Sequence, residues 1–387
     1  MPWYSRIAGW GMAVPRKALT SAELAQQLHT TEEWILTRTG IRERRIAGPG
    51  ETMSDLSVAA AREAMARAGV LPQDLDLIIV ATSTPDYVIP PVSSIIQHKL
   101  NARCGAFTLG AGCTGFMYGM AVAHAFIAAG LMRNILVIGA EIISRNIDWS
   151  DRNTAVLFGD GAGAMVLQAS ELPTGVLSFV LGSDGSGAEH LIVPGISTNH
   201  VITEETIRGK GHLLRMNGRE VFKFATRVLG KVAIEAIARS GLAPDEIDLM
   251  IPHQANERII EAACRELGFP MEKVFLNLDR YGNTSAASIP IAFAEAMAQG
   301  RIREGDNLLL IGFGAGLTWA GAVVRYGVRA EDRPIPVENW PVRLPDLNRL
   351  EPVRQAKVMA LRARRQLLQT AMSLLLPFYT RSRRRKR

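Results

Sequence analysis

Glu63-Ala-Met-Ala-Arg-Ala-Gly-Val-Leu-Pro-Gln-Asp-Leu-Asp-Leu-Ile-Ile79 recurs 172 positions later as Glu235-Ala-Ile-Ala-Arg-Ser-Gly-Leu-Ala-Pro-Asp-Glu-Ile-Asp-Leu-Met-Ile251. About half the positions are identical, which marks an internal duplication. Each copy reads as a helix stopped by a glycine (Gly69, Gly241), a proline turn and a buried strand (77–81, 249–251). The parallel continues downstream. A helix from near residue 115 to Gly130 leads to the strand Ile135-Leu-Val-Ile-Gly139, and one from near Asn283 to Gly300 leads to Leu308-Leu-Leu-Ile-Gly312. Alternating helices and strands in two matching halves predict an α/β sandwich with two sheets. The expected organisation is residues 1–172, residues 173–327, and an extension over 328–387.

The same displacement of 172 relates Cys113 to Ser285, so the two helix starts should face each other across a pseudo-twofold axis and converge on one buried spot. Cys113 sits in Gly110-Ala-Gly-Cys-Thr-Gly-Phe116, between an apolar strand at 105–109 and a helix beginning at Gly115. The unpaired N–H groups and dipole of a helix start favour an anion, which predicts a thiol brought towards or below neutrality. The flanking glycines leave room for a thioester. Pro252-His-Gln-Ala-Asn256 and Tyr281-Gly-Asn-Thr-Ser285 supply a histidine and an asparagine, completing an acyl-transfer set of Cys113, His253 and Asn283. Cys264 falls on the apolar face of an amphipathic helix and Cys104 lacks the glycines, so both read as structural. Three cysteines without CxxC spacing argue against zinc and against a disulfide framework.

Gly159-Asp-Gly-Ala-Gly-Ala164 and Gly312-Phe-Gly-Ala-Gly-Leu317 suggest a dinucleotide loop, but both lead into strands, whereas that fingerprint must open a helix. The net charge of +7 suggests nucleic acid until it is located. Residues 328–387 hold 15 Lys and Arg against 5 Asp and Glu, leaving 29 against 32 for residues 1–327. The body is mildly acidic, and no basic–aromatic interleaving accompanies the tail, so no nucleic-acid partner is expected. The N-terminus has no basic region followed by an apolar run and no segment reaches the ~20 apolar residues of a span, so a cytoplasmic protein is expected.

These motifs, with Glu33-Trp-Ile-Leu-Thr-Arg-Thr-Gly-Ile-Arg-Glu-Arg44 and Phe158-Gly-Asp-Gly-Ala-Gly-Ala164, resemble those of β-ketoacyl-acyl carrier protein synthase III over nearly all of residues 3–326. The resemblance implies a thiolase-like fold, a layered α-β-α-β-α sandwich, in a homodimer without a cofactor. It implies that Cys113 takes the acyl group of an acyl-CoA and passes it to malonyl-acyl carrier protein with loss of carbon dioxide, initiating fatty-acid synthesis. A related condensing enzyme of secondary metabolism and a non-catalytic carrier-protein scaffold are the alternatives. His253 and Asn283 would donate to the developing oxyanion of the malonyl thioester. The backbone N–H groups of Cys113 and Ala315 would form a second oxyanion hole. Trp34 and Arg152 would sandwich adenine, Arg38 would meet phosphates, and Asn256 would line the pantetheine tunnel. Ile89 would close the acyl pocket across the dimer, and Lys223 and Arg258 would receive the carrier protein. Two positions depart from the family pattern of glycine: Ala315, whose side chain restricts φ, and Asn153. Beyond the resemblance, Leu361, Leu368, Met372 and Leu375 share one face of a basic helix. That helix reads either as a peripheral membrane-surface element or as a strap docked on the body.

Overall fold

The computed structural model describes residues 4–195, 198 and 202–328, all within a compact unit that spans Met1–Pro334. The tail helix expected over 361–379 lies outside the described residues.

Both copies of the repeated stretch fold alike. Met53–Ala68 and Gly218–Ser240 are helices closed by left-handed Gly69 (φ 65°) and Gly241 (φ 76°), and each leads through a short proline-initiated turn into a strand, Leu77–Ala81 or Leu249–Pro252. The first sheet runs Tyr4–Ala13, Gly161–Ser170, Asn134–Glu141, Leu77–Ala81, Gly105–Leu109. The second runs Gly175–Ser183, Thr318–Arg325, Asn307–Gly314, Leu249–Pro252. Pairing directions also match: in each sheet the repeat strand is parallel to the next strand inward and the pairs beyond that are antiparallel, while in the first sheet the repeat strand also pairs in parallel with Gly105–Leu109. The counterpart of the Gly105–Leu109 strand is reduced to one parallel bridge, Met250 to Val274.

Strand side chains alternate between faces, so a sheet covered on both sides needs apolar residues at every position. Ile79, Val137 and Met165 join Ile251, Leu310 and Ala322 in one central core. Between the sheets that core holds the helices Gly115–Ala128 and Ser288–Ala298, through Phe116, Met120, Ala292 and Phe293. The intervening residues face outward. Ile78, Val80 and Ile138 meet the Met53–Ala68 and Val92–Leu100 helices, while Met250, Leu309 and Ile311 meet Gly218–Ser240 and Glu257–Leu267. The layers are therefore helices, sheet, helices, sheet, helices, as the resemblance implied. At Gly139 a Cβ would come within 2.2 Å of the Ala286 carbonyl oxygen, so glycine there lets the two halves meet at backbone distance.

Candidate active site

Cys113 lies on a single 3-10 turn, Gly112–Thr114, between the Gly105–Leu109 strand and the Gly115–Ala128 helix. The glycine-rich stretch at 312 is the end of one strand and its hairpin into the next, and it presses on that turn. A Cβ at Gly314 would sit 2.7 Å from the Cys113 nitrogen, and one at left-handed Gly112 (φ 54°) would sit 3.0 Å from Ala315 backbone atoms. The Thr114 hydroxyl donates to Thr318 (2.9 Å) and the Thr318 hydroxyl contacts Ala315 O (3.1 Å), which ties turn to hairpin. Ala315 is not among the residues with positive φ, so its side chain brings no left-handed strain. Its N–H and that of Cys113 both favour the Cys113 thiolate.

His253 follows its strand directly, with its N–H on Ile311 O at 2.7 Å. Burial lowers its pKa to about 3, so the imidazole is neutral. Nδ1 contacts the Ser288 hydroxyl at 2.5 Å, and buried Nε2 has no partner among the described residues. Asn283 is held from both sides by the first half: its N–H donates to Leu157 O (2.8 Å) and its carbonyl accepts from Gly159 N–H (3.0 Å). The Asn283 Oδ1 accepts from Ser285 N–H at 2.8 Å, which fixes the amide and leaves its NH₂ end free of hydrogen bonds among the described residues.

Cys113, His253 and Asn283 line one cavity of about 90 Å³. A basin of about 870 Å³ adjoins it, sharing Leu157, Met216, Gly218, Phe222 and Asn256. Five arginines (38, 152, 215, 219, 258) line this basin against one carboxylate, Glu189, so it suits an anion. Two guanidinium groups lie over the Trp34 ring, Arg38 at 5.6 Å and Arg152 at 5.3 Å from its centroid. Asn256 borders both spaces while also capping the Glu257–Leu267 helix and bonding Arg38 O (2.9 Å). Asn153 lines the basin. Arg258 stacks on Phe222 (5.8 Å) at its wall, whereas exposed Lys223 pairs with Glu220 and lines neither space. Ile89 is 85% exposed in a loop with Tyr87 and Val88, so its own chain does not bring it to the cavity.

Models of the 3-oxoacyl-[acyl-carrier-protein (ACP)] synthase III family match residues 107–185, and those of its C-terminal part match 237–326. The β-ketoacyl-[acyl-carrier-protein] synthase III of Roseiflexus sp. (strain RS-1) is 52% identical over 324 residues, 84% of this chain and 98% of that protein. This chain belongs to the 3-oxoacyl-[acyl-carrier-protein] synthase III family. The synthase III structure from Thermus thermophilus is 47% identical with a TM-score of 0.78, covering 84% of this chain and 99% of that one. A priming β-ketosynthase from the R1128 polyketide pathway is 37% identical with a TM-score of 0.79, covering 84% and 97%.

In this synthase III one expectation fails. Burial outweighs the helix start and pushes the Cys113 thiol up to about 11, although the Ser285 hydroxyl and two backbone N–H groups pull it down. A helix N-terminus is worth about 0.3–2 kcal/mol, too little to offset removing a thiolate from water. Sequence reading also passed over Glu141, Ser285 and Ser288 as functional groups. Glu141 had a signal, a carboxylate closing the apolar run Ile135-Leu-Val-Ile-Gly-Ala140, because such a residue is almost never fully buried without partners. Ser285 had one in the displacement that relates it to Cys113, whereas Ser288 had none, since only the fold brings it to His253.

Proposed function

We propose that this chain condenses a short acyl-CoA primer with malonyl-acyl carrier protein, and that Cys113, His253 and Asn283 carry the chemistry. The observation that carries the reading is their meeting in one buried cavity behind a cation-lined basin. Cys113 attacks the thioester carbonyl, whose oxygen is met by the N–H groups of Cys113 and Ala315, and CoA leaves. Malonyl-acyl carrier protein then loses carbon dioxide, and its carbanion attacks the stored acyl carbon. Charge on the malonyl thioester oxygen is stabilised by His253 Nε2–H and the Asn283 amide, a neutral pair that removes no proton. For Nε2 to donate, the Ser288 hydroxyl must donate to Nδ1.

Trp34 and Arg152 hold the adenine, Arg38 the phosphates, and Asn256 the pantetheine arm. Lys223 and Arg258 receive the acidic carrier protein. The cavity's volume, about the liquid share of three waters, supports a primer of few carbons. The exposed run Tyr87-Val88-Ile89 supports a homodimer in which Ile89 closes the partner's acyl pocket. The reading needs no resident cofactor and no nucleic acid, and places the enzyme in the cytoplasm. Residues 1–172 and 173–327 are proposed as the products of the duplication.

Labelled acetyl-CoA should leave a thioester-linked label on the protein that Cys113→Ala cannot acquire; label retained by that variant overturns the reading. The likeness to the R1128 priming synthase favours a second reading, polyketide priming, and a primer panel separates them. Efficient use of acetyl-CoA with malonyl-acyl carrier protein selects fatty-acid initiation.

A further inference from the structure

Burial leaves the Cys113 thiol protonated, so its proton must depart as the sulfur attacks. His253 is a poor acceptor: it is a weak base and its Nδ1 is engaged by Ser288. Another route is built behind the nucleophile. Glu141, fully buried at the end of its strand, receives hydrogen bonds from Thr82 Oγ1 (3.2 Å), Ser83 N–H (3.0 Å), the Thr84 hydroxyl and Ser285 Oγ (3.2 Å). The turn Ser285–Ala287 packs against the Gly112–Thr114 turn that carries Cys113, and the Ser285 hydroxyl acts on the thiol, drawing its pKa down. Ser285 holds this place through a left-handed backbone (φ 51°), a conformation that a non-glycine residue adopts only when its surroundings impose it.

We infer that Ser285 and Glu141 form a proton relay that accepts the Cys113 thiol proton during acylation and returns it after condensation. This rests on the condensing reading above. As Sγ bonds to the acyl carbon and the bond to CoA sulfur breaks, the thiol proton passes to Ser285 Oγ and the serine's own proton to Glu141 Oε1. CoA leaves as a thiolate and takes its proton from water. When the carbanion forms the new carbon–carbon bond, Cys113 departs with the electron pair of its bond to the acyl carbon, and both proton shifts reverse. Glu141 is suited to this exchange because burial raises its pKa to about 7, where a carboxyl both takes and gives protons. The Glu141 charge itself acts on Cys113 and raises the thiol further. Asp160, adjacent to the strand position paired with Glu141, spends its oxygens on Ala47 N–H (2.7 Å) and Ser144. His253 is held neutral.

The test is the infrared difference spectrum between acylated and free wild-type protein in mildly alkaline buffer, with acylation rates measured across pH. The acylated wild type should gain a protonated-carboxyl band, and its acylation rate should rise through about pH 7 as Glu141 ionises. Glu141→Gln should lack both the band and that limb. It and Ser285→Ala should acylate about 100-fold more slowly or worse. A wild type that acylates without gaining the band, or either variant acylating at the wild-type rate, overturns the relay. If Glu141→Gln does not fold, the wild-type band and Ser285→Ala decide. Failure of Cys113 to acquire any label would instead overturn the condensing reading itself.

Discussion

At the residue scale, His253 in the cavity and Glu141 behind the Cys113 turn are buried groups with pKa values displaced in opposite senses from those of ordinary imidazoles and carboxylates. Folding lowers His253 from 6.5 to about 3, so below about 6.5 the unfolded chain takes up a proton that the folded chain refuses. Stability from this group is present above that range and is lost as pH falls towards 3. Wild type should therefore lose about 1.4 kcal/mol per pH unit more than His253→Gln over that window, read from urea unfolding at a series of pH values. For Glu141, raised from 4.5 to about 7, the folded state binds the extra proton, so stability falls as pH rises through that interval. Asn283→Ala removes one donor to the malonyl oxyanion and should slow malonyl decarboxylation about 100- to 1,000-fold while Cys113 still takes up label. In the basin, Arg152→Ala removes the guanidinium over the Trp34 ring that is proposed to hold the adenine, a contact worth about 0.5–2 kcal/mol. It should raise KM for acyl-CoA with little change in kcat.

At the element scale, the glycine stretches misread most easily as nucleotide loops turn out to be contact points between elements. Gly159 accommodates the loop that carries Asn283: a Cβ there would come within 2.2 Å of Tyr281 O. Fully buried Arg44 grips the same region through Val156 O (2.7 Å), Leu19 O and Ser21. Gly159→Ala should cost about 1–3 kcal/mol in thermal unfolding and depress condensation more than acylation, because the displaced group is Asn283. Strands such as 77–81 and 105–109 were legible to the residue because short apolar runs bounded by turns leave little choice. The 3-10 turn before each central helix was not legible, since it is imposed by packing against the opposite half. The protonation of Cys113 was misjudged for a related reason. Sequence shows the helix that follows the thiol, whereas its exclusion from water depends on residues up to two hundred positions away.

At the scale of the whole molecule, the exposed Tyr87–Ile89 loop and the extension after Val328 make separate predictions. Ile89→Asp should shift the proposed homodimer towards monomer in sedimentation, and should impair acyl transfer if the partner closes the pocket. A chain ending at residue 328 should keep acylation and condensation, since every candidate group precedes it. Flotation of full-length and shortened protein with anionic vesicles tests whether the extension contacts a membrane. The paired turns have an implication for how such a site arises. The turns Gly112–Thr114 and Ser285–Ala287 match in two topologically matching halves, each opened by a residue with positive φ, yet one carries the nucleophile Cys113 where the other carries Ala286. In an assembly of two identical half-length chains, any codon change would alter both turns at once. Joining the halves in one reading frame lets a single substitution change one turn and leave its counterpart alone, so two facing positions can acquire different chemistries.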